Sequence, residues 1–166
     1  MTIHSLPQIG DTLRNAVTFN FKNNPEAIMN ANSLLTQVEQ LFYLLDSRKV
    51  DYVLVGGIAL LTYIEGRNTQ DIDLIMASPS LASLPEIKVT SQDIYFARGK
   101  FGELQIDILL TKNPLFDKVA KKYSTEKQFM DRKLRCATVE GLISSKWATS
   151  ACDQPYACTS RTTIRC

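Results

Sequence analysis

The chain holds a single histidine, His4, in 166 residues, and that scarcity removes whole classes of chemistry. A Ser-His-Asp or Cys-His relay needs an imidazole beside its nucleophile. Zinc centres usually draw on several His or Cys ligands. Cysteine is scarce too: Cys136, Cys152, Cys158 and Cys166 all fall near the C-terminus, with no CxxC or finger-like spacing. They read as free thiols of a reducing compartment. No apolar run approaches the ~20 residues of a membrane span, because Gly56-Gly57 interrupts the stretch from Tyr52 to Ile64. The first residues lack a charged segment followed by an apolar one, so no signal peptide is expected, which favours the cytoplasm and no membrane partner. An excess of either charge is also missing. Nineteen basic and seventeen acidic residues leave +2, too little to demand a polyanionic partner. Neither a GxxxxGK[ST] loop nor a GxGxxG fingerprint occurs.

What remains is the composition of a soluble globular domain, 45% hydrophobic and 22% charged. Residues 1–30, broken by Pro7, Gly10 and Pro25, are expected to be irregular, 31–150 to form the domain, and 151–166 to be an atypical tail. Asn32 or Ser33 is placed to cap a helix to about Lys49, with Leu34, Leu35, Val38, Leu41, Phe42 and Leu45 on one face. Tyr52 to Val55 reads as a buried strand, Ile58 to Ile64 as a short helix, and Asp71 to Met76 as a second strand. Ser78 to Pro85 reads as a loop. Asp93–Ala97 and Phe101–Leu110 suggest a hairpin turning at Arg98-Gly99-Lys100. Helical character returns at Phe116 to Tyr123. A strand over Leu134–Thr138 leads to a helix capped by Thr138 and holding Leu142, Ile143 and Trp147. The Lys-rich run from Lys112 to Lys127 reads as a solvated face.

The chemistry concentrates around two aspartates. On a strand, Asp71 and Asp73 share one face while Ile72, Leu74 and Met76 take the other. Their Cα atoms start roughly 6.6 Å apart, and two unit charges at that distance repel by about 2.5 kcal/mol at an effective dielectric near 20. Asp is also disfavoured in strands. A divalent cation is the simplest compensating partner. Asp107 is a third carboxylate in the otherwise apolar run Leu104–Leu110, where burial without a partner is costly. If its strand lies beside the first, three carboxylates converge, and an all-oxygen donor set suits Mg²⁺ or Mn²⁺. Gly56-Gly57, between strand and helix, leaves backbone N–H groups open to a phosphate. Arg67 precedes the aspartate strand and is placed to contact phosphate as well.

The order Gly56-Gly57, Arg67-Asn-Thr69-Gln-Asp71-Ile-Asp73-Leu and Asp107 resembles the nucleotidyltransferase superfamily that includes DNA polymerase beta. Within it the chain looks closest to AbiE-type abortive-infection toxins and minimal nucleotidyltransferases. The resemblance spans about Leu34 to Trp147. It implies an α+β nucleotidyltransferase fold, a mixed sheet flanked by helices, with Mg²⁺ held by Asp71, Asp73 and Asp107 as catalytic residues. Gly56 and Gly57 would cradle the phosphates of an NTP. Lys146, following Glu140-Gly141-Leu142-Ile143, resembles a helix lysine of the family. The implied activity is transfer of NMP to a hydroxyl of RNA, protein or a small molecule, with a toxin–antitoxin pair as one setting and an antitoxin as partner. Two departures stand out: Ile58 occupies the place where many relatives carry Ser or Thr, and the Cys/Thr/Ser-rich tail replaces an apolar helix. The tail suggests a truncated or out-of-frame end. Both features suit the alternative of a catalytically inactive member that binds a nucleotide or a partner.

Overall fold

The computed structural model describes residues 26–60, 63, 71–129 and 132–152, without the side chains of 26–35, 129 and 146–152. The chain runs α1 (Glu26–Ser47), β1 (Tyr52–Val55), α2 (Gly56–Leu60), β2 (Asp71–Met76), α3 (Ser78–Ala82), β3 (Lys88–Gln92), β4 (Phe96–Phe101) and β5 (Leu104–Leu110). It continues through α4 (Pro114–Lys122), β6 (Ser124–Phe129), β7 (Arg132–Ala137) and α5 (Val139–Cys152). The strands form one seven-stranded sheet in the order β3-β4-β5-β2-β1-β7-β6. β2 pairs with β5, and β1 with β7, in parallel, and the other neighbours are antiparallel. This is the expected α+β class, a mixed sheet with flanking helices. Among the described residues no helix is long and apolar enough to cross a membrane.

The centre of the sheet is apolar because its strands are. Tyr52 to Val55 are all buried, as are Ile72, Leu74, Ile75 and Met76 on β2 and Ile106, Ile108, Leu109 and Leu110 on β5. Of the expected face of α1, Val38, Leu41, Phe42 and Leu45 are buried, while the side chains of Leu34 and Leu35 lie outside the described residues, and Phe42 stacks on Tyr52 at 6.0 Å between ring centres. Phe116 of α4 meets Phe96 edge-on at 5.4 Å. Asn113 caps α4 by accepting a hydrogen bond from the Leu115 N–H at 2.9 Å. At the head of α5, Thr138 Oγ1 accepts from Gly141 N–H at 3.3 Å, the cap its position predicts.

Besides α2, which starts at Gly56 rather than at the expected Ile58, four features differ from the sequence expectations. The first helix begins at Glu26, inside the segment expected to be irregular, and Asn32 and Ser33 lie within it. Cap-forming residues are tolerated inside a long helix whose later turns bury an apolar face. Ser78–Ala82 is a helical turn rather than a loop, with Pro79 in its first turn, where the missing N–H costs nothing. β3 and β6 were not expected as strands. β3 is exposed at all five positions and both strands lie at the sheet's edges, so neither carries the alternation that marks a half-buried strand.

The fourth difference shapes the site. Arg98, Gly99 and Lys100 are not a turn but lie inside β4, and the chain reverses at Gly102-Glu103, where Gly102 has φ +61°. Gly99 is a glycine for another reason: a Cβ there would stand 2.9 Å from Ile87 Cγ2 and 3.1 Å from the Lys88 carbonyl oxygen. The tighter reversal sets the register Phe101↔Leu104 and hence Arg98↔Asp107.

Candidate active site

Asp71, Asp73 and Asp107 are brought together by the parallel pairing of β2 and β5. The register aligns Asp71 with Gln105 and Asp73 with Asp107. In-register residues of adjacent strands are about 4.8 Å apart and point to the same face. Asp73 and Asp107 are therefore neighbours, and Asp71 lies two residues along on the same side.

The glycine pair closes on the same point. β1 runs antiparallel to β2 with Val55 opposite Asp73, so the next residue, Gly56, passes over the Asp73 side chain. Gly56 has φ +66°, a conformation that favours glycine, and a Cβ on it would lie 1.8 Å from Asp73 Oδ2. The Gly57 N–H donates a hydrogen bond to Asp73. The backbone donors predicted to meet phosphate thus include one directed at a carboxylate. Ile58 is buried in the core rather than presented to the site.

Burial first, then the nearby Asp107 and, more weakly, Asp71 push the Asp73 carboxyl up to about 6, against the opposing pull of the Gly57 hydrogen bond and the Arg98 charge. Asp107 is treated differently. Arg98 Nε donates to its Oδ1 at 2.7 Å and an Arg98 terminal nitrogen to its Oδ2 at 2.8 Å, a two-pronged ion pair. Arg98 was not expected here. Placing the hairpin turn on Arg98-Gly99-Lys100 put it in a loop, and only the register of β4 on β5 sets it opposite Asp107.

Three carboxylates on one patch, one of them raised by burial and by its like-charged neighbours, are a donor set suited to a hard divalent cation. In the conformation observed, no three His, Cys, Asp or Glu side chains among the described residues converge well enough to hold a metal ion. Both oxygens of Asp107 are turned to Arg98 instead. Of the other predicted site residues, Arg67 lies outside the described residues, as does the side chain of Lys146, whose backbone is in α5. Cys136 is a buried thiol, pushed up to about 12 by burial, and sits away from the carboxylates on β7.

This arrangement is the nucleotidyltransferase fold, and solved structures share it. One is the aminoglycoside nucleotidyltransferase ANT(2")-Ia in complex with adenylyl-2"-tobramycin, 17% identical, with a TM-score of 0.56 over 78% of this chain and 82% of that one. Another is a candidate nucleotidyltransferase from Thermotoga maritima, 12% identical, with a TM-score of 0.48 over 78% of this chain and 88% of that one. No family model and no curated protein matches the sequence.

Proposed function

We propose that this chain is a divalent-metal-dependent nucleotidyltransferase that moves an NMP group from an NTP to a hydroxyl acceptor. The observation that carries the reading is the in-register pairing of Asp73 with Asp107, with Gly56 at the start of α2 packed against Asp73. Asp71, Asp73 and Asp107 would hold Mg²⁺ or Mn²⁺, which when bound supplies Lewis-acid activation of the attacking oxygen and charge neutralisation at the phosphates. The acceptor oxygen bonds to the α-phosphorus, the bond to the pyrophosphate oxygen breaks, and Asp107 accepts the hydroxyl proton. Gly56-Gly57 lets the phosphates approach the backbone closely, and Arg67 and Lys146 supply positive charge to them. A neighbour of the same fold holding an adenylylated aminoglycoside supports a small hydroxyl-bearing acceptor. RNA, a protein side chain and the toxin–antitoxin setting belong to the same proposal as alternative acceptors and context.

One observation favours a second reading, a nucleotide- or partner-binding protein without turnover: Arg98 occupies both oxygens of Asp107. A single experiment separates the two. Purified protein is incubated with Mg²⁺ or Mn²⁺, each α-³²P-labelled NTP, and in turn tRNA, a protein lysate and an aminoglycoside panel. Transfer that disappears in Asp73→Asn and Asp107→Asn establishes the enzyme. No transfer to any acceptor, with nucleotide binding unchanged in both variants, selects the second reading.

A further inference from the structure

The Arg98–Asp107 pair has properties that suit it to be broken. We propose that Arg98 is a built-in counter-ion for the third carboxylate: it holds Asp107 while the site lacks a cation, is displaced from it by the divalent ion, and then contacts the nucleotide's phosphates. This rests on the nucleotidyltransferase reading above and extends it to a positioning residue on β4.

Three observations carry it. First, the pair is two-pronged and engages both oxygens of Asp107, so a cation shared by Asp73 and Asp107 must compete with the Arg98 charge for that carboxylate. Second, the Arg98 side chain is 57% exposed and that of Asp107 25%, so the pair is screened by water and weak enough for a doubly charged, directly coordinating ion to replace it. Third, the backbone under Arg98 is held on both sides while its side chain reaches outward. Its Cα partners are Asp107 on β5 and Ser91 on β3, and the Thr90 hydroxyl donates to its carbonyl oxygen at 3.1 Å next to the β3 irregularity. A guanidinium released from Asp107 therefore stays within a side-chain length of the carboxylates. Metal-bound phosphates would lie there, and its flat fork of donors matches phosphate oxygens.

Competition and hand-over predict changes of opposite sign. Binding of Mn²⁺ alone, read from the free-ion EPR signal, is compared in wild type, Arg98→Gln and Arg98→Lys, with circular dichroism confirming that each is folded. The Mn²⁺ complex of each of the four NTPs is then titrated by calorimetry. Arg98→Gln is expected to bind Mn²⁺ alone about fivefold or more tighter, the lower end of typical coupling between ligands, yet to bind Mn²⁺–NTP more weakly. Arg98→Lys, a point charge without the fork, should fall between the two. Equal or weaker Mn²⁺ affinity in Arg98→Gln, or unchanged nucleotide affinity, overturns the proposal. Wild type that binds Mn²⁺ and transfers label while Arg98→Gln alters neither affinity overturns this inference alone. Absence of Mn²⁺ binding in every variant overturns the nucleotidyltransferase reading with it.

Discussion

Gly56 and Asp73 occupy space that permits no carbon between them: a Cβ on Gly56 would fall 1.8 Å from Asp73 Oδ2, 2.3 Å from Cγ and 2.7 Å from Cβ. Gly56→Ala must therefore move Asp73 bodily, and it also places a side chain at φ +66°, which alone costs about 1–2 kcal/mol. Urea unfolding should show a loss of at least that size. Adding Asp73→Gly to Gly56→Ala should recover the steric part, giving a favourable coupling in the double-mutant cycle. Additive losses would mean that the two residues do not touch in solution.

Asp73 also gives the fold a pH dependence of definite sign. Its carboxyl titrates near 6 in the folded chain, against 3.8 as an unperturbed group. Between those values the folded state keeps a proton that the unfolded state has released, so stability falls as pH rises from about 4 to about 6. Its contribution is complete below the unfolded value and lost above the folded one. Urea midpoints measured at pH 4, 5, 6 and 7 should decline less steeply in Asp73→Asn than in wild type. Identical slopes would place Asp73 in water.

The same proton competes with a cation. Below about pH 6 a divalent ion must displace it from Asp73, so Mn²⁺ affinity should drop toward tenfold per pH unit for one proton released. Mn²⁺ titrations at pH 5.0 and 7.5 check this directly. An affinity flat across that range would exclude Asp73 as a ligand.

Phe116 offers a test of the layer that supports β5. It is fully buried and meets Phe96 edge-on, and β5 carries Asp107. Phe116→Ala should cost about 3–5 kcal/mol, as other buried aromatic truncations do. Thermal melting with and without Mn²⁺ reads it, and the increment given by the ion should survive as long as the fold does.

The parts of the molecule that repeat were legible in the sequence. Alternation on β2 and helical spacing on α1 both record which side faces the core, and they placed β2 and the end of α1, though not its start at Glu26. Asp107 was legible because a carboxylate in an apolar strand needs a reason. Arg98 was not, since an arginine before a glycine reads the same in a turn as in a strand. Gly99 is small to let Ile87 and the Lys88 carbonyl approach, and that contact comes from a strand whose polar sequence gave no sign of itself. Polar edge strands leave little mark on composition, because only one of their sides has a neighbour to pair with.

The parallel joining of β2 to β5 also decides when the carboxylates meet as the chain folds. The intervening segment makes α3, β3 and β4 before Asp107 can reach Asp73. A contact between residues so distant along the chain forms slowly and late. The mutual repulsion of the acids is then a burden of the last stage of folding, and an ion that relieves it should slow unfolding while leaving the folding rate nearly untouched.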